Sequence, residues 1–205
     1  MKPGENLQLT DGKGALLTAA IVDDHKKKCR VRVESITHTP PREKNIHIAI
    51  SPLKNASRLE WFLEKATEIG VSTIIPLLTE RTERQATKPD RWQNILVSAL
   101  LQSQQTWLPE LSEPKTFAAL VSSPTAGQRL IAHCLPSPRP TGSLAGFVQA
   151  QRPTSALILI GPEGDFSQKE VELALGEGFV PVTLGNNRLR TETAGVVAAT
   201  LLCID

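Results

Sequence analysis

The sequence predicts an α/β domain with a mostly parallel sheet, preceded by a small antiparallel β unit. Three observations carry this expectation. Residues 45–205 alternate strand-like and helix-like segments, the pattern of a sheet with crossover helices. The run Ala156-Leu157-Ile158-Leu159-Ile160 is apolar on both faces, as in a parallel strand covered on each side by helices. Residues 1–40 instead hold short alternating runs separated by turn residues, which reads as antiparallel strands.

In the first region, Leu7-Gln8-Leu9 leads into the turn Asp11-Gly12-Lys13-Gly14. An apolar run over 16–22, a polar break over 23–28 and the alternation Cys29-Arg30-Val31-Arg32-Val33 follow. The break carries Lys26, Lys27 and Lys28, which read either as a solvated hairpin tip or as a contact to an RNA backbone. Pro40-Pro41 marks a boundary, so the expected domains are 1–40 and 41–205.

Beyond it, 45–50 reads as a strand and 57–69 as a helix with Leu59, Phe62, Leu63, Ala66 and Ile69 on one face. Ser57 with Glu60 fits a capping box, and Gly70 fits the stop. A strand is expected over 71–78. A helix over 90–104 follows, with Trp92, Ile95, Leu96, Ala99 and Leu100 at helical spacing, and then a strand over 129–134. The Pro-, Gly- and Ser-rich stretch 136–153 predicts a loop or weak helix. After the 156–160 strand come a helix over 167–175 with a second capping box, Ser167 and Glu170, a strand over 180–184, and an alanine-rich helix over 193–204 suited to a core or a subunit interface.

Composition narrows the function classes. The 205 residues carry a net charge of +2, which neither requires nor opposes a nucleic-acid partner. No stretch of eighteen apolar residues would span a membrane, and the first residues have no apolar signal core. The 3 cysteines are scattered and the 4 histidines share no ligand spacing, so no metal site is expected and a reducing cytoplasmic setting fits. The sequence holds neither a Gly-rich dinucleotide fingerprint after a strand nor a phosphate-binding P-loop.

Ligands of open parallel sheets bind beyond the carboxyl ends of the strands, and two strand ends here carry unusual loops. One is Gly161-Pro162-Glu163-Gly164-Asp165-Phe166. Its glycines let backbone approach a ligand, although composition alone favours an ordinary tight strand-to-helix turn. The other, residues 184–195, crowds Arg188, Arg190, Thr191, Glu192 and Thr193 beside Gly185. That density of donors suits a polar substrate, and the arginines suit a phosphate or a developing anion.

In order and spacing, GPEGDF at 161–166 and LGNNRLRTETA at 184–194 resemble the ribosomal RNA small subunit methyltransferase E family of the SPOUT superfamily. The stretch Glu64-Lys65-Ala66-Thr67-Glu68-Ile69-Gly70-Val71 resembles a third family motif, and Arg81 and Arg84 follow near a family arginine. The resemblance implies a C-terminal trefoil knot, an exception to the rule that protein chains are unknotted, and a front segment like a PUA-like RNA-binding barrel. The family's barrel starts earlier, so the barrel expected here is incomplete. It implies S-adenosylmethionine as cofactor, a homodimer, and methylation of N3 of a uridine in 16S ribosomal RNA, on free RNA or the small ribosomal subunit. Two departures stand out. Asp165 occupies a loop glycine position of the family, and Gln105 occupies an arginine position.

By the same resemblance, Gly161, Pro162, Glu163, Gly164, Leu184, Gly185, Leu189, Arg190, Thr191 and Thr193 would line the cofactor site. Arg188, Lys26, Lys27, Lys28, Arg81 and Arg84 would face RNA. Neutral N3 of uridine holds a proton, so the enzyme must help remove it or stabilise the charge that spreads to the flanking carbonyls. Arg190 is the expected electrostatic group, with Arg188 as the alternative, and Glu192 would orient Arg190 or the helix start. Helix capping is the competing reading of Glu192 and Thr193. Two further functions stay open: a knotted methyltransferase acting on another RNA, and a non-catalytic RNA-binding or assembly module.

Overall fold

Turn chemistry organises the first strands. In the computed structural model, which describes residues 1–83, 88–136, 140 and 142–204, β1 (Asn6–Thr10), β2 (Ala15–Asp23) and β3 (Arg30–His38) form an antiparallel sheet in that order. The Asp11 carboxylate accepts from the Lys13 and Ala15 amides at 2.7 and 3.1 Å, closing the first turn. Those amides, Lys13 first, hold the Asp11 carboxyl below its ordinary range. Gly14 sits at φ 100, and a Cβ there would lie 2.6 Å from the Trp107 ring. Trp107 in turn donates from Nε1 to the carbonyls of Thr39 and Pro40. Arg42 donates to Gln105 Oε1 and to the Trp107 carbonyl. These contacts draw residues 100–108 into one unit with residues 1–42, while Glu43–Ala99 and Pro109–Asp205 form a second.

The second unit builds its elements in order: β4 (Asn45–Ile50), α1 (Ala56–Ile69), β5 (Thr73–Leu78), α2 (Pro89–Gln102), β6 (Glu110–Leu111), β7 (Lys115–Thr116), α3 (Phe117–Val121), β8 (Gln128–Ala132), β9 (Gly142–Ser143), α4 (Leu144–Gln151), β10 (Ser155–Ile160), α5 (Gln168–Gly176), β11 (Val180–Thr183) and α6 (Thr191–Cys203). Among the described residues the sheet runs β6-β5-β4-β10-β8-β11-β9, with β7 also on β5, and its pairs are parallel. This is the α/β sheet with a separate small antiparallel sheet that the alternation predicts. The doubly apolar strand lies in the middle: Ala156 through Ile160 are all buried, with β4 on one side and β8 on the other. One face packs Leu157 and Leu159 with Phe117, Leu120, Phe166 and Val171.

Helix ends depart from the sequence reading in physical ways. The first helix starts earlier, capped by Asn55, whose side chain accepts from the Ser57 amide. The proposed Ser57–Glu60 box fails because Glu60 is taken by Arg91, at 2.5 and 2.7 Å. Gly70 does stop α1, at φ 98. The Ser167–Glu170 box forms as expected, and the second Glu170 oxygen accepts from the Glu80 amide at 2.8 Å. The second helix ends at Gln102, just before Gln104 turns to φ 54. Residues 144–151 form a true helix capped by Ser143. The last helix begins at Thr191 rather than residue 193, with Arg190 as a cap that uses no side-chain bond. No helix among the described residues is long and apolar enough to cross a membrane.

Candidate functional site

Because β4, β10, β8 and β11 run parallel, their exits share one edge of the sheet: Ile160 pairs with Ile50 and with Ala132, and Ala132 pairs with Val182. The two unusual loops leave strands on either side of β8. They are joined directly, for the buried Thr191 hydroxyl donates to the Gly161 carbonyl at 3.0 Å. Thr191 therefore ties the start of α6 to the loop after β10.

That first loop is held from several directions. Its tight turn is closed by the Asp165 amide donating to the Pro162 carbonyl at 2.9 Å. Arg81 donates to the Gly164 carbonyl at 2.6 Å, so this expected RNA contact holds loop backbone here. Arg58, on α1, donates to Glu163 at 3.1 Å, and its Nε lies 3.6 Å from a Glu192 oxygen. One guanidinium thus reaches a residue of each loop. Gly161 is closely fitted, since a Cβ there would stand 3.1 Å from the Phe166 ring.

The second loop is more open. Leu184 and Leu189 are half-buried, Gly185 lies at φ 134, and residues 185–188 are exposed. Arg190 is exposed and, among the described residues, its guanidinium makes no ion pair or hydrogen bond. Glu192 is buried, with Oε2 lacking a partner. A desolvated carboxylate left half-satisfied is costly, and at a ligand-facing edge it is a candidate acceptor. Thr193 is half-buried in the first turn of α6.

The exit of β8 completes the edge. His133 is buried, and its Nδ1 accepts from the Leu135 amide at 3.2 Å, which leaves the proton of the neutral ring on Nε2. Burial holds this imidazole below its ordinary value, while the Asp165 carboxylate pulls the other way. Partial burial, together with Asp165, raises the Cys134 thiol, and Arg188 lies near enough to oppose that rise. Arg188 itself is exposed. Lys26, Lys27 and Lys28 sit exposed at the turn between β2 and β3, in the other unit. Arg84 lies outside the described residues. No group of three or more His, Cys, Asp or Glu among the described residues could hold a metal ion.

Sequence reasoning passed over Arg58 and His133. Nothing local marks either: Arg58 reaches residues 105 and 134 positions away, and His133 stands out only once its burial is known.

A parallel sheet with these loops at its carboxyl edge defines the class, an RNA methyltransferase domain, and the family model of that description matches residues 40–203. The chain belongs to the ribosomal RNA small subunit methyltransferase E family. A Neisseria gonorrhoeae member of that name, solved bound to S-adenosyl methionine, superimposes with a TM-score of 0.79 at 30% identity, covering 97% of this chain and 82% of that one. The Porphyromonas gingivalis protein solved as a probable rRNA-methyltransferase superimposes at 0.89 with 39% identity, covering 99% and 87%. A Synechocystis relative with the family name is 30% identical over 97% of this chain, and the chain spans 65% of that relative's length.

Proposed function

We propose that this chain is an S-adenosylmethionine-dependent methyltransferase acting on N3 of a uridine in 16S ribosomal RNA. The observation that carries the reading is the junction of the two loops through Thr191 and Gly161, at 3.0 Å. It brings a close-fitting glycine turn and an arginine-bearing loop to one sheet edge, where α/β ligands bind.

The residues fit the cofactor. Glu163 and Gly164 are exposed at the tip of the first loop, Leu184 and Leu189 offer apolar surface, and Gly185 adds a left-handed turn that a side chain would strain. With Pro162, Glu163, Arg190, Thr191 and Thr193 they would hold the donor. When bound, it supplies a methyl group activated by a sulfonium charge. The chain's own residues do the rest. Arg190, exposed and uncommitted, stabilises charge developing on a uracil carbonyl. Glu192, buried beside Arg58, orients the start of α6 and offers an acceptor oxygen. Arg188, exposed on the second loop, and the lysines of the first unit meet phosphate.

The same reading takes the first unit as a PUA-like RNA-binding module, with domains 1–40 and 41–205. It takes the second unit as a trefoil knot, in a homodimer of the cytoplasm. The path of the chain supports the knot. From β11, beyond β8, it returns so that α6 packs on β4 and α1, where a Cβ on Gly195 would meet Phe62 at 2.6 Å and Ile50 at 2.9 Å. The test is calorimetric titration with S-adenosylmethionine, then transfer of labelled methyl to small ribosomal subunits, free 16S RNA and transfer RNA, with the product base identified. Methyl transfer to uridine N3 of 16S RNA supports the reading. Transfer to transfer RNA alone, or RNA affinity without cofactor binding, overturns it.

A further inference from the structure

We propose that Asp165 is a positioning residue whose carboxylate clamps the exit of β8 to the loop after β10, fixing the spacing between the two backbone segments. The inference deepens the methyltransferase reading, and its consequence for cofactor binding rests on that reading.

The backbone gives the first argument. Asp165 lies at φ 63, in the left-handed region that favours glycine. Aspartate enters that region more readily than most residues, but at some cost, and such strain persists when the surroundings enforce it. The side chain supplies the compensation. Oδ2 accepts from the Cys134 amide at 2.8 Å and Oδ1 from the Phe166 amide at 2.8 Å. One carboxylate therefore bonds two segments that are 31 residues apart in sequence. Both are charge-assisted bonds to backbone, roughly twice as strong as neutral ones.

The bond to Cys134 does something the sheet cannot. The paired stretch of β8 and β10 ends at Ala132 and Ile160. Past that point the two chains have no ladder, and Asp165 replaces it. The next amide, Leu135, is taken by His133 Nδ1. Two consecutive amides of the β8 exit are thus captured by side chains, and this segment is fixed before any ligand arrives. Asp165 needs no contact with a ligand for this. It acts through the Cys134 backbone and through the turn that carries Glu163 and Gly164.

The experiment uses the full chain and three variants: Asp165→Gly, Asp165→Asn and Asp165→Ala. Glycine relieves the strained φ and removes both acceptors. Asparagine tolerates the φ and keeps one acceptor oxygen. Alanine keeps the strain and removes both acceptors. Two readouts are taken, hydrogen exchange of the Cys134 amide and the dissociation constant for S-adenosylmethionine, with kcat and KM measured on the RNA substrate. Asp165→Gly is expected to lose protection at Cys134 and to bind the cofactor about tenfold more weakly, as loss of the charge-assisted bond that joins the two segments predicts. Its KM for the cofactor should rise while kcat at saturation stays within about twofold, and Asp165→Asn should fall between it and the parent in both readouts. If Asp165→Ala does not fold, the glycine and asparagine variants decide. Parent-like exchange at Cys134 together with parent-like affinity in Asp165→Gly overturns the proposal. If the parent itself binds no S-adenosylmethionine, the methyltransferase reading fails instead, and the clamp is then judged on exchange alone: lost protection in Asp165→Gly upholds it, unchanged protection overturns it.

Discussion

The loop after β10 and the loop after β11 meet at one sheet edge, yet they are built in opposite ways. The first is tied down: Arg81 holds the Gly164 carbonyl, Arg58 holds Glu163, and Asp165 anchors the turn to the β8 exit. The second leaves residues 185–188 exposed, with Arg190 uncommitted among the described residues. Preorganised backbone suits a group that must sit in one geometry. Free guanidinium groups suit a larger partner that brings its own charge. On the proposed function, the held loop fixes the donor in one geometry, and the second loop adds apolar surface to that seat while its exposed arginines face RNA.

Removing the free arginine should give the largest effect. Arg190→Ala is expected to lower methyl transfer about 10²- to 10³-fold, the range for losing one transition-state donor, with the thermal midpoint nearly unchanged and cofactor affinity reduced far less than transfer. Single-turnover kinetics beside calorimetry would show this, and an equal loss in affinity would erase the contrast between the loops. Next is the seat of the helix that carries the second loop. Gly195→Val has no room against Phe62 and Ile50. It should lose about 1–3 kcal/mol or more in chemical denaturation, as overpacked cores do. On the held loop, Arg81→Ala removes one bond at an exposed site, so cofactor affinity should fall only about threefold to tenfold. An unchanged affinity would mean that Arg81 does not brace Gly164 in solution.

The smallest expected effect is on pH. Burial lowers the imidazoles of His133 and His47 below the ordinary 6.5 in the fold. The unfolded chain then binds more protons than the native one, so stability is full above 6.5 and declines as pH falls toward the native values. Denaturation midpoints should drop as pH is lowered from about 7 to about 5. The drop should be smaller in His133→Gln, with the remainder belonging to His47. A midpoint flat across that range would contradict the burial argument.

Much of the held loop's sequence was legible and little of its bracing was. Glycines after a doubly apolar strand mark the loop, because local spacing and composition express both features. Strands 45–50 and 156–160 and the cap at Ser167 were readable for the same reason: each rests on neighbours in sequence. Arg58, Arg81 and Asp165 do their work through residues far along the chain, which no local pattern records. The cap at Asn55 was missed because Ser57 and Glu60 satisfy a local rule that Arg91, on another helix, overrides. The short α3 has too few residues to show a period, and residues 100–108 join the first unit through contacts distant in sequence, among them the packing of Trp107 on Gly14 and the Arg42 bond to Gln105.

Helix α6 rests on α1 and β4, the elements that open the second unit, while its own first hydroxyl reaches back to the loop after β10. Contacts this distant in sequence slow folding, because the intervening chain must be ordered before they form. During synthesis the early strands and helices would wait, their apolar faces uncovered, until residues 191–203 emerged to close over them. The helix that completes the sheet is also the one that brings Arg190 to its edge, so a nascent or clipped chain lacking it would be unable both to finish its core and to assemble the site.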